Sequence, residues 1–141
     1  MYVLDTDHLS LLGKRANLFS QRLQSRLAQI PPEQQVTTII SFEEQTRGWL
    51  ALMAQSSSLA HQVEVYRRLH ELLNRYTQTT VLDFDEAAAA QFERLQKLRL
   101  RVGTMDLKIA AIALTHNATV LTRNLRDFTR VPGLSVEDWT R

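Results

Sequence analysis

Cysteine is absent from the 141 residues, which excludes a disulfide framework, a thiolate zinc site and a cysteine nucleophile together. The absence fits a reducing cytoplasm. No apolar run approaches the roughly 18 to 20 residues that a membrane span needs. The opening Met1-Tyr-Val-Leu-Asp-Thr-Asp has no basic region followed by an apolar one, so a secretory signal is not expected. A soluble protein is. Internal repeats, low-complexity tracts and linkers are also missing, and the length suits one domain, 1–141, able to bury its own core. Net charge is small: 17 basic against 15 acidic side chains leave +2.

The basic side chains are nevertheless unevenly spread. Arg94, Lys97, Arg99 and Arg101 lie close together, and Arg123, Arg126 and Arg130 form a second group. Such clusters suit a polyanion, because phosphate contacts supply most sequence-independent affinity. They equally suit a solvated helix face.

Four short apolar or β-branched runs, Tyr2–Leu4 and residues 36–40, 79–82 and 119–122, read as buried strands. Helical spacing fills the gaps between them. Leu107, Ala110, Ala111 and Leu114 follow i, i+3, i+4, i+7, and Val63, Tyr66, His70 and Leu73 make a similar stripe. Leu18, Leu23, Leu27 and Ile30 suggest a helix ended by Pro31-Pro32, and residues 86–98 read as helix on propensity. Strands alternating with helices predict an α/β domain with a mostly parallel sheet and right-handed crossovers. Residues 50–76 form an apparent helical insertion, a hairpin turning at Ser56-Ser57-Ser58, and a candidate partner surface.

Three acids occupy one kind of place. Asp5 follows the first strand, Glu44 follows the second at the start of a helix, and Asp106 opens the helix after Gly103-Thr104. Ligands of open α/β sheets bind beyond the carboxyl ends of the strands, so acids there converge although distant in sequence. Each also has a plainer role. Ser41 and Glu44 make a capping box, Thr104 and Asp106 suit a helix start, and Asp5 or Asp7 suits the cap of a helix near His8. Together, three carboxylates in one crevice repel one another, and a hard divalent cation is the usual remedy. Mg²⁺ takes oxygen ligands in an octahedron, and with it phosphodiester hydrolysis needs little else. Lys108 and Arg123 are candidates to steady phosphoryl charge. The four histidines, His8, His61, His70 and His116, show no zinc-ligand spacing, and His116 suits a helix C-terminus. Trp49 and Trp139 read as core or interface packing rather than base-stacking platforms.

These residues carry a resemblance. Tyr2-Val-Leu-Asp-Thr-Asp-His-Leu-Ser resembles the first strand and acidic motif of PIN-domain proteins. Ile39-Ile-Ser-Phe-Glu-Glu-Gln-Thr-Arg-Gly48 resembles their second motif, whose Glu stands four residues before a Gly and so selects Glu44 over Glu43. Gly103-Thr-Met-Asp106 followed by an alanine-rich helix resembles the third. Leu121-Thr-Arg-Asn124-Leu-Arg-Asp127-Phe, with Val131-Pro-Gly-Leu134 and Glu137-Asp-Trp139, resembles the C-terminal motif of VapC-type toxins. The ordered set spans residues 2 to 139.

The resemblance implies a PIN-like three-layer α/β/α domain with four or five strands and a helical hairpin. It implies a ribonuclease using Mg²⁺ or Mn²⁺ at Asp5, Glu44 and Asp106 to cut structured RNA such as transfer RNA. Such toxins are blocked by a cognate VapB-type antitoxin, whose C-terminal segment lies over the active-site groove, and they commonly form homodimers. One departure is Asn124, where many PIN domains carry a fourth acid. Asn124 offers an amide oxygen without charge, and Asp127 either compensates or serves as a turn residue. Asp7 is a further candidate for a supporting role. A catalytically silent RNA-binding module, which Asn124 favours, and a DNA-acting nuclease are the competing readings.

Overall fold

The structure, a computed structural model, describes residues 1–13 and 16–141. Five strands form one sheet: β1 (Tyr2–Leu4), β2 (Gln35–Thr38), β3 (Thr80–Leu82), β4 (Thr119–Leu121) and β5 (Ser135–Glu137). Their order is β3-β2-β1-β4-β5, and every neighbouring pair is parallel. The expected four or five strands are therefore five, and the mostly parallel sheet is wholly so. Seven α-helices and a 3-10 turn (Pro32–Gln34) among the described residues complete it: α1 (Thr6–Leu12), α2 (Leu18–Leu27), α3 (Ile39–Gln55), α4 (Leu59–Thr77), α5 (Glu86–Lys97), α6 (Thr104–Thr115) and α7 (Leu125–Phe128). None of these helices is long and apolar enough to cross a membrane.

Strand residues explain the layering. Neighbouring side chains on a strand face opposite ways. Val3 and Val120 join one apolar cluster with Leu95, Ile109, Ala110 and Phe128, while Leu4 and Leu121 join a second with Leu9, Leu23, Leu72 and Trp139. The sheet thus separates a layer holding α5 and α6 from one holding α1, α2 and α4. Strands covered on both faces read as continuous apolar runs rather than alternations. From Leu107 to Ala113 only Lys108 escapes full burial, as suits a helix enclosed on most sides.

Topology places the site. The chain goes from β1 to β2 and β3 on one side, then crosses to β4 and β5 on the other. The order reverses between β1 and β4, the kind of crevice where open α/β sheets bind ligands.

Two boundaries differ from expectation, and one difference matters. β2 ends at Thr38 and α3 begins at Ile39 without a loop; the Thr38 side chain, not that of Ser41, caps the helix by accepting from Ser41 N at 3.2 Å. Glu44 is therefore in the second turn of α3, outside any capping box. The helical hairpin turns where expected, at Ser56-Ser57-Ser58 between α3 and α4. It is no insertion starting at Leu50, however, because its first arm is the distal half of the helix that carries Glu44. At α6 the N-cap is Gly103, with Thr104 already helical.

Two helices end in a left-handed residue. After α6 it is Asn117 (φ 50°), and after α5 it is Arg99 (φ 51°). Asn tolerates this conformation well, whereas a long side chain there costs about 1 kcal/mol or more relative to Gly.

Candidate active site

Asp5 is the first residue beyond β1. Its amide donates to Leu121 O at 3.1 Å, and the side chain is buried at 4% exposure. Oδ1 accepts from His8 N at 2.8 Å, so Asp5 does cap α1. Among the described residues no hydrogen bond goes to Oδ2, so capping occupies only one of the two oxygens.

Glu44 reaches the same crevice from α3. The Thr6 hydroxyl donates to Glu44 Oε1 at 2.6 Å and lies 3.2 Å from Ser41 Oγ. A hydroxyl has one proton, and the carboxylate is the stronger acceptor, so Thr6 gives its proton to Glu44. Thr6 aims Glu44 at Asp5's end of the sheet. Sequence reasoning missed it; its only signal was its place between two acids.

Asp106 stands in the first turn of α6. Asn124, just after β4, donates through Nδ2 to Asp106 Oδ2 at 3.2 Å and to Asp127 Oδ2 at 3.0 Å. One amide thus ties together two acids that are 21 residues apart. Burial pushes the Asp106 carboxyl up from its ordinary value to about 6. The charges of Asp5, Glu44 and Asp127 push the same way, against the Asn124 hydrogen bond. Asp5, Glu44 and Asp127 thus all act on Asp106, the acid that Asn124 tethers. The donor set is all oxygen, counting the Asn124 amide, and fits a hard cation rather than a soft one.

Other candidates fall elsewhere. Arg123 does not point at the acids: it grips Asp7, Nε to Oδ2 at 2.6 Å and Nη2 to Oδ1 at 2.7 Å, and that pairing holds the guanidinium more firmly charged. The Lys108 ammonium sits 5.7 Å and 5.8 Å from the ring centres of Phe84 and Phe92. His116 is the C-cap residue of α6. Trp139 is buried, tilted against Tyr2 at 4.8 Å, with Nε1 donating to Glu137 Oε2 at 2.6 Å, and Trp49 packs partly buried on the same cluster.

A second group, Asp5, Asp7 and His8, brings one donor atom from each residue within 4.8 Å of the others. The guanidinium gripping Asp7 already neutralises that carboxylate, and its positive charge would repel a cation. His8 is fully buried, and neither ring nitrogen has a hydrogen-bond partner among the described residues. Nδ1 lies 3.6 Å from Asp5 Oδ1 and Nε2 4.0 Å from Asp138 Oδ1. Burial raises the Asp138 carboxyl, but hydrogen bonds from Thr140 and the neighbouring His8 outweigh it and leave the group below its ordinary value. The Asp106 group carries no such neutralising partner: among the described residues no basic side chain is hydrogen-bonded to Asp5, Glu44 or Asp106.

Beside Glu44 opens a groove of about 570 Å³ between α1, α3 and α4, lined by Thr6, Glu44, Trp49, Leu52, Arg68 and Arg75 among others. Its walls mix apolar area with two guanidiniums and two carboxylates, Glu44 and Glu71.

An all-parallel sheet switching at β1 and β4, with acids gathered at that switch, is the arrangement of a PIN fold. The chain belongs to the PIN-domain family, which matches it over residues 2–134. Within that family its likeness is to VapC-type proteins. Ribonuclease VapC1 of Haemophilus influenzae (strain R2866) is 28% identical over 146 residues, covering 100% of this chain and 99% of the relative. The tRNA(fMet)-specific endonuclease VapC of Salmonella typhimurium (strain LT2) is 40% identical over 63 residues, 42% of this chain and 48% of that one. The solved structure of VapBC-1 from nontypeable Haemophilus influenzae has a TM-score of 0.76 at 24% identity, covering 99% of this chain and 98% of that chain.

Proposed function

We propose that this chain is a VapC-type endoribonuclease toxin that hydrolyses phosphodiester bonds of structured RNA, transfer RNA being the favoured substrate. In this reading Asp5, Glu44 and Asp106 hold Mg²⁺ or Mn²⁺, and Asn124 and Asp127 complete the site. The observation that carries it is the placement of the acids at the switch point, Asp5 just past β1, Glu44 held by Thr6 and Asp106 tied through Asn124 to Asp127, with burial and the neighbouring charges pushing Asp106 up to about 6. A fold that keeps such repulsion at its ligand crevice has a use for a cation there. A hard divalent cation so held supplies Lewis acidity, both to activate water and to offset charge on phosphoryl oxygens.

The chain's own residues do the positioning. Thr6 fixes Glu44, the α1 cap fixes Asp5, and Asn124 restrains Asp106 and Asp127 together. Asn124 need not bring a charge to serve the site, because its amide hydrogens hold two acids that would otherwise part. This removes the main support for a silent binding module.

The likenesses to a named ribonuclease, to a tRNA-specific endonuclease and to the VapBC-1 complex support the activity, the substrate and an antitoxin partner. The groove beside Glu44 suits an antitoxin segment that lays apolar side chains on Trp49 and Leu52. Exposed Leu59, Val63, Tyr66 and Leu73 on α4 (78%, 57%, 62% and 53%) support a second covered face, such as that of a homodimer. Action in the cytoplasm follows from the substrate.

The test incubates antitoxin-free protein with bulk transfer RNA, single-stranded DNA or duplex DNA, with Mg²⁺ or Mn²⁺ and with EDTA. Discrete transfer RNA fragments that need the metal, with both DNAs intact, are expected. Intact transfer RNA in every metal-containing lane, from protein shown to be folded, would overturn the reading.

A further inference from the structure

Beyond the acids, the sequence cluster Arg94, Lys97, Arg99 and Arg101 has a place in the fold but no part in the chemistry above. All four side chains are exposed, on the last turn of α5 and the segment leading to α6. Residues 91–101 hold these four cations and one acid, Glu93, a local balance of +3. None of the four is in an ion pair among the described residues, whereas Arg26, Arg47, Arg67, Arg68, Arg123 and Arg130 all are.

Arg94 and Lys97 have a local purpose, since cations in a last helical turn complement its dipole. Arg94 also donates twice to Gln91 Oε1, whereas Lys97, and Arg99 and Arg101 past the helix end, have no side-chain hydrogen bond among the described residues. Arg99 also occupies the left-handed position just beyond the C-cap, φ 51°, where Gly or Asn is the unstrained choice and where α6 uses Asn117. A strained residue whose side chain has no hydrogen bond or ion pair among the described residues points to a use for that side chain.

The ridge adjoins the acid cluster. Arg130 Nη1 donates to Arg101 O at 2.7 Å and lies 3.5 Å from Asp127 Oδ1. Asp127 in turn accepts from Asn124, which also donates to Asp106. From the ridge backbone to Asp106 is thus a relay of three side chains, with Arg130 holding the two regions in register.

We propose that Lys97, Arg99 and Arg101 form a second contact for structured RNA, gripping its phosphate backbone beside the cleavage site and fixing the strand that enters it. The inference rests on the ribonuclease reading and adds the surface that selects for a substrate longer than the scissile step. Phosphate contacts carry no sequence information but set register and affinity.

The test compares wild type with the triple variant Lys97→Gln, Arg99→Gly, Arg101→Gln, measuring anisotropy of labelled bulk transfer RNA in EDTA across a KCl series. Neutralising three phosphate contacts should lower the slope of log affinity against log salt by about 2, and weaken binding about tenfold or more at low salt. In cleavage, KM for transfer RNA rises while kcat holds. Arg99→Gly alone should leave thermal unfolding unchanged or raise its midpoint, because Gly relieves the left-handed strain. Lost affinity is then not lost fold. A folded triple variant with the wild-type slope would overturn the ridge and leave the ribonuclease standing. Wild type that neither binds nor cuts RNA would overturn both.

Discussion

Asp5→Asn is expected to reduce RNA cleavage by at least about a thousandfold, equivalent to about 4 kcal/mol of transition-state stabilisation. Its thermal midpoint should stay within about 2 °C of wild type. The two halves of this expectation have separate physical grounds. Asp5 has two tasks: Oδ1 caps α1 through His8 N, and the carboxylate contributes charge to the acid cluster. Asn caps a helix about as well as Asp, so the substitution removes the charge and keeps the cap. Asp5→Ala removes both and should cost about 1 kcal/mol of stability besides. Cleavage measured on bulk transfer RNA, beside thermal denaturation of both variants, checks it. Undiminished cleavage by Asp5→Asn would remove Asp5 from the site.

Asp106→Asn should produce two effects of opposite sign. In metal-free protein at pH 7.5 the variant should unfold at a higher temperature than wild type, by about 3 °C after allowing for solvent screening. Burial, and then Asp5 and Glu44, hold the Asp106 carboxyl at about 6, above its ordinary 3.8. A raised value means that the fold prefers the protonated group. Its contribution is therefore complete below about pH 4 and is lost as pH climbs through about 6. Asn imitates the neutral form at every pH. The gap between variant and wild type should be widest above pH 7 and close as pH falls to about 4. Saturating Mn²⁺ should reverse the order, since a ligand at a hundred times its Kd stabilises the binding form by about 2.7 kcal/mol. Cleavage should fall as steeply as for Asp5→Asn. A wild type that stays less stable than the variant in saturating Mn²⁺ would contradict the assignment of Asp106.

Much of the fold was legible because its strands are buried on both faces. Val3-Leu4 and Val120-Leu121 feed opposite clusters, and that dual burial is what makes them read as short unbroken apolar runs. β5, with Val136 as its one apolar residue between Ser135 and Glu137, carries too little pattern to announce itself. The start of α3 was misread for a local reason. Thr38 and Ser41 are both good caps, and only the loopless passage from β2 into the helix decides between them. That choice also releases Glu44 from the capping box that competed with a site role.

Within the site, the positions of Asp5, Glu44 and Asp106 after strands and near helix starts were visible as spacing. Their partners were not. The Arg123 grip on Asp7 joins residues 116 apart in the chain, and no periodicity reports it. Nor does any motif foretell that Asn124 donates to two acids at once, since an Asn in place of an acid reads first as a loss. His8 between Asp5 and Asp138 is likewise a product of the tertiary fold, because the parallel sheet sets the residues that follow β1 and β5 at one edge.

Glu44 gives the cleanest access to the cation site, because its one hydrogen bond among the described residues, from Thr6, survives replacement by Gln. Calorimetric titration of Mn²⁺ into metal-free wild type and into Glu44→Gln isolates its charge. Saturable binding to wild type, weakened about tenfold or more in the folded variant, is the predicted result. Equal affinity in the two proteins, or no binding to either, would contradict a cation site built on Asp5, Glu44 and Asp106.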